Sequence, residues 1–392
     1  MKAYIIQSRK KIAPFYERAE DILVGNEKLS VLQAKALTSL ALEPNFILEL
    51  SEISDDNEYV VFGDELYFET ELLKQFIEES RRKQCQTVCS VKTGVFTIRT
   101  LTGLQNVKKN NGSVEYILFY YPPRRFRNNL VIPIVLNLDN SLENIRLPLH
   151  MCGSGRYCIS VSEKPIIQLD HWVNIWSANI ASILASVSRR QKSKIRLFPF
   201  FLKAFSFNKW KIAGLLNKIG ENCDIHPTAY IEASTIGNNV IIGAGAIVRE
   251  SIVGDNSVIG NAVTIEFSVV GENCTILNGH ILYSVLYSGV FSVTHMLSTS
   301  LVGRDCFIGS GVILTDFRLD GKPVMVEKEG KKISSGNLFL GCCLGHNVYL
   351  GGGCVIAPGR AVPNSLHLSL DKDRVVTSFR DVTRIAGFRI TP

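Results

Sequence analysis

The chain has 392 residues, enough for two domains, and 46% of them are hydrophobic, so buried cores are affordable in composition. Its ten cysteines show neither paired metal-ligand spacing nor a disulfide framework, which points to a reducing cytoplasm. The net charge is +7, but no recognition motif for nucleic acid accompanies it, and no uncharged apolar run reaches membrane-spanning length.

The opening "MKAYIIQSRKKIAPF" meets charges too soon to be a signal peptide. Within it "KAYII" reads as a strand, and "LSVLQAKALTSLAL" reads as a helix. "EYVVFGDELYF" is a strand running into a turn, followed by the helix "ETELLKQFIEESRRKQ" with Thr70 as its cap. "QTVCSVK", "GVFTIRTL", "SVEYILFYY" and "NLVIPIVLNL" read as strands, and "WVNIWSANIASILASVSRR" as a closing helix. Strand–helix alternation followed by strands predicts an α/β domain over residues 1–185.

Residues 186–218 form a basic, aromatic connector. From His171 to Gly220 there are nine Lys or Arg and no acidic residue. One reading packs its Phe and Trp against the neighbouring domain, as buried aromatics prefer. The other is a contact with an anionic membrane surface, which would hold a cytoplasmic protein at the inner membrane face.

The next region keeps a clock. Ile219, Ile225, Ile231; Ile236, Ile242, Val248; Val253, Ile259, Ile265; and Val270, Ile276, Leu282 follow steps of six, six and five, a 17-residue period. A helix needs steps of three and four, and a simple strand needs two. Hexads with small residues after the aliphatic one predict a β-solenoid over 219–365, with aliphatic side chains stacked inside. Gly and Asn serve its corners, where positive φ is required. Cys274, Cys306 and Cys354 fall within repeats as small buried residues. A charged insertion at about 315–340 breaks the rhythm and is expected to project as a loop. The polar tail, 366–392, is expected to cap the last coil.

The segment from Thr294 to Gly359, "THMLSTSLVGRDCFIGSGVILTDFRLDGKPVMVEKEGKKISSGNLFLGCCLGHNVYLGGGCVIAPG", resembles the archaeal-type bifunctional family that joins a sugar-1-phosphate nucleotidylyltransferase to an amino-sugar-phosphate N-acetyltransferase. "MKAYII", "NEKLSVLQAKAL", "YVVFGDELYF" and "HWVNIWSANIASIL" are similar to its nucleotidylyltransferase half. The resemblance implies a left-handed parallel β-helix of hexapeptide repeats, a degenerate nucleotidyltransferase-like α/β domain, and a homotrimer.

It also implies site residues. Among His226, His280, His295 and His346, only His295 matches the family's general base, for which imidazole suits the pH. Asp316 and Arg318 would shape the acceptor site, and Lys328, Lys331 and Lys332 would meet a phosphate or the pyrophosphate of acetyl-CoA. Gly309, Gly311 and Gly341 are candidate cofactor-binding turns, and Asp64 is the candidate Mg²⁺ ligand. The family's glycine-rich phosphate loop is missing, because Gln7 to Val24 contains no Gly. Three functions remain open: N-acetyl transfer from acetyl-CoA to an amino-sugar phosphate or nucleotide-linked amino sugar, nucleotidyl transfer making an NDP-sugar, and a non-catalytic scaffold for envelope polysaccharide synthesis.

Overall fold

A computed structural model describes residues 1–127, 130–138, 142–192, 214 and 216–371. The N-terminal unit is built on a seven-stranded sheet. Its strand order is Val131–Leu136, Gln86–Lys92, Ser113–Tyr121, Tyr59–Gly63, Lys2–Ile6, Glu43–Ile47, with Lys108–Asn110 paired to Ser113–Tyr121. Lys2–Ile6 runs parallel to both neighbours, while Ser113–Tyr121 runs antiparallel to its own. Helices α1 (Leu29–Ser39), α2 (Thr70–Lys83), α3 (Val95–Arg99) and α4 (Trp172–Lys192) accompany the sheet.

Two expectations change here. Glu69, not Thr70, is the residue flanking α2, and Thr70 is its first helical residue. "GVFTIRTL" is not a strand. It forms α3 and a following turn, because Phe96, Leu101 and Leu104 are all buried on one side and Gly94 N–H donates to Thr97 Oγ1 at 3.0 Å. Tertiary burial overrides the β-branched look of the segment.

The second unit is a β-helix of parallel coils. Two faces are eight-stranded sheets, running from Lys218–Ile219 to Ala361–Val362 and from Asp224–Ile225 to His367–Leu368. The third runs from Tyr230–Glu232 to Met296–Ser298. Ile236, Ile242, Val248, Val253, Ile259, Ile265, Val270 and Ile276 fill the interior, together with the buried Cys274, Cys306 and Cys354. Ile219, on the first coil, is half exposed. All ten cysteines are free thiols.

Coils contact at such short range that the small corner residue is obligatory. A Cβ on Gly254 would stand 2.6 Å from the Gly271 carbonyl carbon of the next coil. Asn239, Asn256 and Asn273 take the positive-φ corner, at 55°, 57° and 55°. A column of buried serines runs beside the aliphatic stack. Ser251 N–H donates to Ser234 Oγ, 17 residues earlier, at 3.1 Å; Ser284 N–H donates to Ser268 Oγ, 16 residues earlier, at 3.0 Å. The change from 17 to 16 marks a shortened coil. It places Ile281 inside, paired with Ile265, and turns Leu282 outward, correcting the expected core position.

The two units share one hydrophobic core. On the first solenoid face, from Ile252 onward, the residue before each interior position is also apolar. Val269, Val285, Leu301 and Cys343 are fully buried among Trp172, Trp176 and Tyr67 of the N-terminal unit's core cluster. Trp176 Nε1 donates to the Tyr283 carbonyl at 2.7 Å, and Arg190 Nη1 donates to the carbonyls of Leu216 and Ala233 at 3.2 Å. Most of the aromatic connector lies outside the described residues, as does the tail beyond 371.

The insertion is docked on one side, with its tip in solvent. It folds into a hairpin, Met325–Lys328 with Lys331–Ser334, whose Val324 and Val326 are buried in the shared core. His171 Nε2 lies 3.0 Å from the Glu327 carbonyl, and Asn337 Oδ1 accepts from Arg99 at 2.8 Å.

The stretch without glycine, residues 7–24, is likewise a clamp. Phe15 stacks on Tyr287 at 5.6 Å and on His346 at 4.8 Å. Glu17 pairs with Arg304, and His346 Nε2 lies 3.4 Å from the same carboxylate oxygen. Asn364 Nδ2 donates to the Phe15 carbonyl at 3.0 Å.

Phe15→Ala is expected to cost about 3–5 kcal/mol by removing a buried ring that joins the units. Urea unfolding of the full chain checks this, and a loss below about 1 kcal/mol would refute the clamp. His171 and His346 are each pushed down to about 4, first by burial. Between about pH 4 and the ordinary imidazole value of 6.5 the unfolded chain therefore binds more protons than the folded one. The stability these rings confer is complete above pH 6.5 and is lost as pH falls toward 4. The double variant H171Q/H346N, which keeps a hydrogen-bonding amide at each place, should show a shallower loss of urea midpoint over that range than the wild type.

Candidate functional site

A cavity of about 330 Å³ lies between the two units. Helices α3 and α4 and the hairpin Leu142–Arg146 with Arg156–Ser160 form one side; the third solenoid face and the insertion form the other. Tyr157, Trp176, Ile180, Leu184, Tyr283 and Phe339 give it apolar walls. Arg99, Asp316 and Asn337 are polar lining residues, beside several serines and threonines. Arg99 is fixed: its guanidinium carbon lies 3.8 Å from the Tyr157 ring centroid, and Nε donates to the Cys158 carbonyl at 2.7 Å. Asp316 follows the Ile313–Leu314 strand and faces the cavity, where the sequence placed an acceptor-site residue.

His295 is not among the residues that line the cavity. It precedes the Met296–Ser298 strand, whose Met296 and Ser298 do line it, and its ring is exposed. Its Nδ1 lies 3.2 Å from the Asn278 side-chain nitrogen, one coil below. The neighbouring Thr294 is buried, and its hydroxyl donates to the Val312 carbonyl at 2.6 Å, which anchors this segment. Sequence reasoning did not reach Asn278 or the cavity walls contributed by α4. The only trace of either was Asn278 one coil before His295.

The other candidates divide. Arg318 turns back on Asp320, with Nε to Oδ1 at 2.9 Å, and this pairing occupies its guanidinium. Lys328 is not a phosphate ligand as arranged, since its ammonium donates to the Leu104 carbonyl at 2.7 Å and locks the insertion to the N-terminal unit. Lys331 and Lys332 are exposed on the second strand of the hairpin. Gly309 and Gly341 have no N–H free for a cofactor. They donate to the carbonyls of Leu350 at 2.8 Å and Thr299 at 3.0 Å. A Cβ on Gly341 would also stand 2.2 Å from Ser300 Oγ, so close packing is what demands glycine there. Gly311, at φ 71°, is a corner.

The N-terminal unit has its own polar centre. Asp64 follows Tyr59–Gly63, and Ser8 follows the parallel Lys2–Ile6 strand, so both sit at carboxyl ends where open sheets bind ligands. Asp64 accepts from Ser8 N–H at 3.1 Å and Ser8 Oγ at 2.7 Å. Asp170 is paired with Lys10 and accepts from Asn106 N–H at 2.6 Å. Glu65 accepts from Gln168 Nε2 at 2.7 Å, and burial raises its pKa strongly, with Asp64 and Asp170 adding to the effect. The carboxylates do not fit a divalent ion in this arrangement. Lys10 supplies the cation at Asp170, Ser8 satisfies Asp64, and no group of three or more candidate ligands able to hold a metal occurs among the described residues.

The chain is an α/β unit with a mixed sheet fused to a parallel β-helix. Residues 212–288 match the family model described as the GMPPB C-terminal domain. Among solved structures, the chain is similar to a UDP-N-acetylglucosamine acyltransferase from Campylobacter jejuni, at 17% identity over 38% of this chain and 68% of that one, with a TM-score of 0.24. It is also similar to the acetyltransferase domain of PglB from Neisseria gonorrhoeae FA1090 in complex with acetyl coenzyme A, at 15% identity over 37% of this chain and 50% of that one, with a TM-score of 0.14. A hexapeptide transferase family protein from Anaplasma phagocytophilum matches at 17% identity over 38% of this chain and 76% of that one, with a TM-score of 0.20. No curated protein matches the chain.

If Lys10 stands in for a cation, Mg²⁺ should leave the thermal midpoint of the wild type unchanged. Lys10→Ala should become Mg²⁺-responsive, because removing the ammonium leaves Asp170 uncompensated. Differential scanning calorimetry with and without Mg²⁺ checks both. A midpoint in the wild type that rises with Mg²⁺ would restore the metal reading of Asp64.

Proposed function

We propose that the chain is a hexapeptide-repeat transferase that moves an acetyl group from acetyl-CoA to the amine of an amino-sugar phosphate or nucleotide-linked amino sugar. The observation that carries this reading is the placement of His295. Its ring is exposed, the next residue, Met296, lines the cavity that also holds Asp316, and one ring nitrogen contacts the Asn278 side chain. As arranged, the Asn278 amide nitrogen donates to Nδ1 and leaves the hydrogen on Nε2; with the amide turned to present its oxygen, Nδ1 keeps the hydrogen and Nε2 becomes the basic atom. Nε2 then removes a proton from the amine as the amine attacks the thioester carbonyl. Asp316 would orient the amine, and the exposed Lys331 and Lys332 would meet phosphate.

A homotrimer belongs to the same reading. The second solenoid face carries an exposed aromatic ladder, with Phe291 to Phe307 at 5.7 Å, Phe307 to Tyr349 at 6.2 Å and Tyr349 to His367 at 4.6 Å. Such a stripe suits burial against another copy. Among the described residues no helix is long and apolar enough to cross a membrane. A peripheral membrane contact would fall to the basic connector. The second reading, nucleotidyl transfer at the N-terminal unit, rests on Asp64 and Asp170 near the carboxyl end of its sheet.

Thiol release from acetyl-CoA in the presence of glucosamine-1-phosphate should be catalysed by the wild type and fall at least about 100-fold in His295→Ala. An unchanged rate in the variant would remove His295 from the chemistry. No release by the wild type, together with no CoA binding, would remove acetyl transfer itself.

A further inference from the structure

We propose that Arg99 and Asn337 form an anion pocket in the cavity between the two units, and that the acceptor it selects is a single amino sugar carrying a phosphate. The identity of the amine rests on the acetyl-transfer reading above. The part given to the N-terminal unit in choosing the acceptor goes beyond it.

The pocket is built on a hydrogen bond that can run only one way. A guanidinium donates and never accepts, so the Asn337 amide must turn its oxygen to Arg99, and Oδ1 accepts from Nη1 at 2.8 Å. That orientation sends Nδ2 away from Arg99. Asn337 is 1% exposed and lines the cavity, and its Nδ2 has no hydrogen-bond partner among the described residues. An amide N–H left unpaired in so buried a residue is costly, and such groups are uncommon in folded proteins.

Beside this donor stands a fixed cation. The Tyr157 ring lies 3.8 Å from the Arg99 guanidinium carbon, and Nε donates to the Cys158 carbonyl at 2.7 Å. With Nη1 committed to Asn337, Nη2 is left without a partner among the described residues. A braced guanidinium with an amide N–H next to it matches the oxygens of a phosphate. The opposite charge in the same cavity, Asp316, makes no side-chain hydrogen bond or ion pair among the described residues. Arg99 is tethered by its own contacts and does not close on it. A molecule that carries both an ammonium and an anion would satisfy the two at once.

Size separates the two acceptors left open above. The volume is about 330 Å³. That is roughly twice the 150 Å³ cavity that takes up benzene, so the space suits about a dozen non-hydrogen atoms. One hexosamine ring fills it, with its phosphate at Arg99, whereas a nucleotide would add a base and a ribose that have no room. Tyr157, Trp176, Tyr283 and Phe339 offer ring faces to the C–H groups of the sugar. Lys331 and Lys332 are then left to the pyrophosphate of acetyl-CoA.

Isothermal titration calorimetry on the full chain, with no acetyl-CoA present, tests the pocket whether or not His295 transfers an acetyl group. The probes are glucosamine-1-phosphate, glucosamine and glucose-1-phosphate. In the wild type, loss of either the phosphate or the amine from the probe should weaken binding at least about tenfold. Asn337→Asp keeps the shape of the side chain and its bond to Arg99 but replaces the free N–H with a carboxylate oxygen. It should weaken glucosamine-1-phosphate at least about tenfold and leave glucosamine unchanged, as should Arg99→Gln. Asp316→Asn should weaken glucosamine-1-phosphate and leave glucose-1-phosphate unchanged. No binding of glucosamine-1-phosphate by the wild type would overturn the proposal, and so would an equal loss for all three probes in the variants. UDP-glucosamine binding as tightly as glucosamine-1-phosphate would overturn it as well, by giving the cavity to a sugar nucleotide.

Discussion

One stripe of side chains holds the molecule together. On the first solenoid face, Val269, Val285, Leu301 and Cys343 point away from the coil's interior and are nonetheless buried. A solenoid normally leaves its outer face to solvent, where polar residues cost nothing. Burying this one commits the β-helix to a permanent neighbour. Val269, Val285 and Leu301 each remove an aliphatic side chain from water at about 1.5–3 kcal/mol, before the entropy of ordering is subtracted. The position of α4, the docking of the insertion and the cavity between the units all follow from that packing.

The same constraint explains the fate of the N-terminal loop. A phosphate cradle needs bare backbone N–H groups, which glycine exposes and side chains cover. Between Gln7 and Val24 the chain instead places Phe15 against Tyr287 and Glu17 against Arg304, so this segment is an attachment to the solenoid. Nearby, Ser8 and Lys10 satisfy Asp64 and Asp170 from within the protein. The carboxylates at the carboxyl end of the sheet keep their place, while their surroundings now close upon themselves.

Much of this was written in the sequence, though not all of it in one rhythm. The interior positions repeat because one aliphatic residue per strand must stack on the coil below, and Ile242, Ile259 and Ile276 do so. The outward stripe was equally visible as doubled pairs such as Val269–Val270 and Leu301–Val302, but a single periodic template reads only the inner member. The serine column keeps the same clock and was passed over because serine usually signals a surface. Leu282 was misread because the coil loses one residue there, and a one-residue slip exchanges inside for outside. Segment α3 and the docked insertion depend on contacts with residues distant in the chain, which no local pattern carries. At the candidate site, His295 and Asp316 were legible from a resembling segment, whereas Asn278 and the walls from α4 become neighbours only through stacking and docking.

The cavity belongs to both units together. Neither unit encloses that space alone. The solenoid offers Leu282, Tyr283, Met296 and Thr299, and the N-terminal unit offers Arg99, Tyr157 and Trp176. Arg99 spans the boundary, stacking on Tyr157 and donating to Asn337 of the insertion at 2.8 Å. A domain retained only as a plug would be free to fill the gap, since closing it with one larger apolar side chain would stabilise the fold.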